Sequence, residues 1–349
     1  MANKNPGRQY WAKRFETLQE AQLKESDQYY EDLEQIYKQA STSIQKDIDS
    51  WYNRLAKNNN LTLAQANMLL TPAELKEFKW SVEDYIKYGE ENAINQDWMQ
   101  QLENASARVH ISRLEALETQ LRQIVEVLYG NQVDKLDSLL NGIYEQGYYH
   151  TAYEVQKGFN VGFNFAKIDT DQLNMIIHKP WTDDGTEFSK RIWGQYRPDL
   201  VNTIHSELSQ MLIKGQGPDK AIKNIAHKFD TSKSKSGNLV MTESAYFSSA
   251  SRNDAYRQLG IQEYEIVATL DTHTSQICRS LDGEHLPLSQ YEPWVTAPPF
   301  HNRCRTTTCP YFDDEFELGT TRAARDSKGK TTYVPSDMTY DDWENKFVN

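Results

Sequence analysis

The sequence predicts a mainly α protein: long amphipathic helices followed by a small α+β knuckle-like C-terminal module and an extended tail. Three observations carry this. Leu33, Ile36, Tyr37, Ala40, Ile44, Ile48, Trp51, Tyr52 and Leu55 recur at steps of three and four residues with Asp, Glu, Lys, Gln and Ser between them, which is the period of a helix buried along one stripe. Helix-start grammar recurs, with Thr62 and Gln65 spaced as a capping box and Thr71-Pro72-Ala73-Glu74 placing a Thr cap, a first-turn Pro and a third-position Glu. Near the C-terminus the pattern changes to a strand-like run, EYEIVATL, followed by turns rich in Cys, His and Pro.

In chain order, the first helix is expected to end at Asn58–Asn60. Ile111, Leu114, Leu117, Leu121, Ile124, Val125 and Leu128 form a second stripe, read as stopping at Gly130, with a further segment from Val133 to Tyr149. Gly158 and Gly162, set among aromatic residues, suggest a tight packing crossing or a bend. The run HKPWTDDGTEFSKRIW reads as a loop packed on the body. Two amphipathic helices follow, LVNTIHSELSQMLIKGQG and DKAIKNIAHKF, joined by a Gly-Pro turn. Residues 230–238, DTSKSKSGN, lack large apolar side chains and are the best linker candidate. A helix closed by Gly260 then leads into the strand. The resulting division is 1–230, a helical body; 231–312, a compact module; and 313–349, an extended or partly disordered tail in which Tyr340, Trp343 and Phe347 resemble a docking peptide.

Bulk properties narrow the function classes. The 349-residue chain carries a formal net charge of −12, which argues against a surface that tracks nucleic acid throughout. Its longest apolar runs fall far short of the ~20 residues needed to cross a bilayer, so no membrane segment is expected. The N-terminus lacks an apolar signal core. Three cysteines do not make a disulfide framework, so free or metal-bound thiols in a reducing cytoplasm are expected.

Chemistry-bearing residues concentrate in 268–309. Cys278 is followed 23 residues later by His301, then by Cys304 and Cys309, a set that matches zinc's preference for thiolate and imidazole. Asp271, His273 and His285 are spare candidates, and the competing reading is a hydrogen-bonded loop histidine beside small buried cysteines. A His-Asn-His nuclease centre at His285, with His301 and Asn302, is a weaker reading. His205–Glu207 resembles half of a zinc-deaminase signature but lacks the paired cysteines that would complete it. Lys220, Lys223, Lys228, Lys233 and Lys235 form a basic segment, read either as a solvated helix face or as a contact with DNA phosphates.

Taken in order, Gly260, Ala268-Thr269, Asp271-x-x-Thr274, Cys278, Leu281-Asp282-Gly283, Pro298-Pro299 and His301-x-x-Cys304-Arg305 resemble the Mu F-like head morphogenesis family, the minor head proteins of tailed bacteriophages. The specific part covers residues 237–310, and segments such as YWAKRFETLQE extend the likeness loosely over most of the chain. The resemblance implies assembly rather than catalysis: association with the portal protein, contacts with scaffold or major capsid protein and with phage DNA, a place inside the capsid near the portal, and a role in DNA packaging or ejection. It makes Asp271, Thr274, Asp282, Gly283, Pro298, Pro299 and Arg305 structural motif positions. Two family cysteines are replaced here, by Ser275 and Thr306, while the turn-forming and charged positions remain. That pattern fits a folding device better than a catalytic metal, and it leaves a bound Zn2+ as the one cofactor to consider. The alternative function is a metal-dependent nuclease or another phage-delivered enzyme.

Overall fold

The computed structural model describes residues 7–56, 61–91, 99–100, 103–104, 107–108, 110–159, 166–312, 321–325 and 331–335. The chain is mainly helical, as its periodicity predicts. Helix α1 (Arg8–Leu55) is followed by α2 (Leu63–Ala66), α3 (Pro72–Glu91), α4 (Arg113–Phe159) and α5 (Thr170–Ile177). Helix α6 (Phe188–Arg191) continues through a π-helical turn (Ile192–Tyr196) into α7 (Arg197–Lys214), and α8 spans Asp219–Gln258. The C-terminal elements are β1 (Glu263–Val267), α9 (Gln276–Leu281), β2 (His285–Pro287), β3 (Thr307–Tyr311), β4 (Thr321–Arg325) and β5 (Thr331–Pro335). No described helix is long and apolar enough to cross a membrane.

Local grammar is obeyed where it was legible. Thr62 caps α2 in a full capping box with Gln65. The Thr71 amide donates to Glu74 Oε2 at 2.8 Å and the Glu74 amide donates to Thr71 Oγ1 at 3.3 Å, the same device at the start of α3. Gly215, at φ 60°, ends α7 in the left-handed conformation, and Gly260, at φ 71°, closes α8.

Two expected breaks are absent. Helix α4 passes through Gly130 and on to Phe159. A single helical glycine costs about 1 kcal/mol, and the buried Leu121, Val125, Leu128, Leu136 and Leu140 on either side outweigh it. Residues 230–238 are likewise no linker: they lie within α8, so the expected boundary at 230/231 falls in mid-helix. The small residues there serve close packing. Ser232, Ser236 and Gly237 are buried, and the Ser236 hydroxyl lies 2.8 Å from Tyr37 Oη and donates to Gln132 Oε1 at 3.3 Å.

Residues 1–30, 137–179 and 238–349 form one compact unit, and residues 31–136 and 180–237 form another. In the second, Leu33, Tyr37, Ile44, Ile48 and Trp51 of α1 supply the buried stripe. In the first, β1 is the centre of an antiparallel sheet of order β2-β1-β3, with Glu265 opposite His285 on one side and Cys309 on the other. Its core joins Tyr264, Ile266, Val267, Phe300, Cys304 and Cys309 to Trp11 and Phe15 from α1 and Val155 from α4. The sheet is thus built onto the chain's first helix rather than following a separate helical body. Gly158 makes the expected tight crossing, because a Cβ there would run into the Trp11 indole. In the tail, β4 and β5 pair antiparallel, Thr321 opposite Pro335. Asn58–Asn60, Gly162, Tyr340, Trp343 and Phe347 lie outside the described residues.

Candidate metal centre

The turn that leaves β1 is organised by Asp271. Its carboxylate receives both terminal nitrogens of Arg305, together with the His273 amide at 2.9 Å and the Thr274 hydroxyl at 3.2 Å. Burial opposes the charge, but Arg305 and these donors outweigh it and hold the Asp271 carboxyl below its ordinary range. Thr274 shares that single hydroxyl proton with the Thr269 carbonyl, and Thr269 in turn donates to the Arg305 carbonyl at 3.1 Å. The expected structural motif thus operates as one hydrogen-bonded unit that ties residues 269–274 to 305.

The remaining motif positions fix the adjoining turns. Asp282 Oδ1 accepts from the Ala268 amide at 2.8 Å. Gly283 has φ 85°, a conformation that disfavours a side chain, and its amide donates to the Ile266 carbonyl at 2.9 Å. A Cβ at Gly283 would also meet the Arg8 guanidinium at 2.9 Å. Arg8 itself is paired with the buried Glu265 of β1. The Pro298-Pro299 peptide is cis, and the Pro299 carbonyl accepts from the Trp294 amide at 3.0 Å.

Between these turns the thiols and the imidazole converge. Ser275 caps α9, accepting the Cys278 amide at 3.3 Å, which directs the buried Cys278 inward. The loop after Pro299 returns His301 and Cys304 to the same point. It is pinned by the Arg303 amide, which donates to Thr242 Oγ1 at 3.2 Å, and by Arg303 Nε, which donates to Asn238 at 2.6 Å. Cys278 Sγ lies 3.2 Å from His301 Nε2 and 3.8 Å from Cys304 Sγ. His301 Nδ1 is 2.8 Å from the Asn302 carbonyl, which can only accept, so a neutral ring bonded there carries its proton on Nδ1 and turns the bare Nε2 toward Cys278 Sγ. Contact with Cys304, reinforced by burial, pushes the Cys278 thiol up. The hydrogen bond from Cys278 leads the causes that bring Cys304 down to about 6, against burial, with help from the backbone of Phe300 and Thr306 and the Thr306 hydroxyl.

Of the four expected ligands, three come together. Cys309 does not join them: β3 carries it to the position opposite Glu265, where it is fully buried in the sheet core. His285 is likewise elsewhere, its ring stacked on Tyr311 with centroids 4.0 Å apart. Sequence reasoning treated Thr306 only as a vacancy, whereas it is buried two residues after Cys304. Its position in the motif was the available signal.

The five lysines do not form one basic face. Lys228 and Lys235 both reach Asp199 Oδ2, at 2.6 and 3.4 Å, and Lys233 lies 3.5 Å from Glu34 and 3.7 Å from Asp230. Lys220 and Lys223 stand exposed near the start of α8.

Residues 202–309 match the protein family described as Phage Mu protein F like protein, a span that holds the whole cluster and the Asp271–Arg305 unit. The chain is 24% identical over 254 residues to the minor head protein GP7 of Bacillus phage SPP1, which covers 68% of this chain and 79% of that relative. It is 22% identical over 193 residues to the NAD(+)–arginine ADP-ribosyltransferase EFV of Enterococcus faecalis, covering 53% of this chain but only 38% of that relative. No solved structure matches.

Proposed function

We propose, from the match of residues 202–309 to the Phage Mu protein F-like family, that the chain is a minor head protein acting in head assembly at the portal. The observation that carries this is coverage: the likeness to the SPP1 minor head protein runs over 79% of that relative, well beyond the motif segment. Long helices with one buried stripe and a wide polar face suit docking on portal, scaffold or major capsid protein. The capsid interior near the portal is the corresponding location, with packaging or ejection of phage DNA as the step served.

Mass spectrometry of purified virions and procapsids tests this, together with affinity purification of the tagged chain from phage-producing cells. The chain is expected in both particles at low copy number, with the portal protein co-purifying. Its absence from both particles, with no portal recovered, would overturn the reading.

The ADP-ribosyltransferase relative favours a second reading, an enzyme. This chain spans 38% of that relative, so the relative's name describes a much longer protein. Release of nicotinamide from NAD+ in the presence of an arginine acceptor would support the enzyme reading. Nicking of plasmid DNA that disappears in His285→Ala would support a nuclease instead.

A further inference from the structure

Cys278 Sγ, His301 Nε2 and Cys304 Sγ all lie within 4.8 Å of one another. The edges of this triangle are more specific than its size. Two thiolates each about 2.3 Å from a tetrahedral zinc ion sit about 3.8 Å apart, and a thiolate and an imidazole nitrogen about 3.5 Å apart. Here the two sulfurs are 3.8 Å apart and Cys278 Sγ is 3.2 Å from Nε2. A disulfide would need its sulfurs at about 2.05 Å, far closer than the 3.8 Å here.

The surroundings are those of a ligand set. The Asn302 carbonyl holds the His301 tautomer from the far side of the ring, the usual second partner of a metal-bound imidazole. Both sulfurs are almost fully buried, and Cys278 sits on a capped helix. Thr306, buried two residues after Cys304, stands close by.

We propose that Cys278, His301 and Cys304 bind one tetrahedral Zn2+ whose fourth position is taken by the Thr306 hydroxyl or by water. Both cysteines bind as thiolates, and whatever thiol protons they still hold pass to solvent. Two thiolates then balance the charge of the ion, so the buried site becomes neutral overall. The ion joins α9 to the loop after the Pro-Pro pair, and it acts as a structural clamp. This role is independent of the head-assembly reading.

Cobalt titration of the full chain, stripped of metal by a chelator and kept reduced, tests the site. Saturation is expected at one equivalent, with the visible ligand-field bands of tetrahedral cobalt and a near-ultraviolet thiolate-to-cobalt band that zinc abolishes. Cys278→Ser and Cys304→Ser should lose the thiolate band and bind at least tenfold more weakly, while Cys309→Ser should match the parent. Thr306→Cys adds a third thiolate, so its charge-transfer band should strengthen and its affinity rise. A parent that is reduced and folded by circular dichroism yet binds no cobalt would overturn the proposal. Loss of the site in Cys309→Ser would do the same, as would a Cys278–Cys304 disulfide found by mass spectrometry in protein purified without oxidant.

Discussion

Arg305 and Asp271 form a two-pronged ion pair across 34 residues of chain, with Arg305 Nη2 2.6 Å from Asp271 Oδ1 and Nη1 against Oδ2. The Asp271 side chain is 8% exposed and that of Arg305 27%, so the pair is only partly screened by water. Removing one partner strands a charge and empties the acceptor that also orders His273 and Thr274. Asp271→Ala is expected to cost about 2–3 kcal/mol in urea unfolding, below the range for a fully buried pair because Arg305 retains solvent access. Arg305→Lys should recover only part of that, since an ammonium cannot make the paired contact.

The same pair sets a pH dependence. The Asp271 carboxyl is held below its unfolded value, so its stabilisation is present above about pH 4 and is lost as pH falls through the folded value. Urea midpoints measured from pH 7 down to pH 3 should therefore fall less steeply for Asp271→Asn than for the parent. Parallel curves would mean that Arg305 contributes nothing through charge.

Glycines at 130 and 158 should respond in opposite directions. Nothing lies within 4 Å of a Cβ built at Gly130, whereas one at Gly158 meets the Trp11 ring. Gly130→Ala is expected to stabilise the chain by up to about 1 kcal/mol. Gly158→Ala must displace a fully buried indole and should cost about 1–3 kcal/mol. Thermal melts of the two variants side by side give the comparison.

These cases mark where the sequence was legible. Capping at Thr62 and Thr71 depends on residues three apart, so it can be read from a short window, and the Asp271–Arg305 motif was legible because its residues stand in a recognisable order. Gly130 and residues 230–238 misled for one reason. Propensity is a local quantity, and both stretches are held helical by burial against distant segments, as in the contact of Ser236 with Tyr37. Trp11 was invisible as part of the sheet's core because its partners lie more than 140 residues away, at Val155 and beyond. Cys309 was assigned by spacing alone, and spacing does not say which way a strand turns its side chains.

The continuity of α8 has a direct consequence for proteolysis. A linker at residues 230–238 would be cut rapidly by trypsin after Lys233 or Lys235, whereas a helical segment must first open locally. Limited digestion is expected to spare these bonds, and amide exchange across 230–238 should be as slow as across 240–255. Rapid cleavage there, with the rest of the chain intact, would restore the linker.

Any contact of the basic segment with DNA should be shallow. Lys228, Lys233 and Lys235 already face Asp199, Glu34 and Asp230, and a lysine neutralised by a carboxylate releases no counterion when it nears a phosphate. Only Lys220 and Lys223 then remain to count, so the dependence of log K on log salt for duplex DNA should be no steeper than about −2, from roughly 0.9 per phosphate neutralised. Changing Lys220 and Lys223 to Ala should remove most of that slope. Changing Lys228, Lys233 and Lys235 should leave it nearly intact and lower stability slightly instead. A slope near −4 or −5, lost only when all five are changed, would mean that the carboxylates release their lysines to DNA, and the segment would have to be read as one basic face after all.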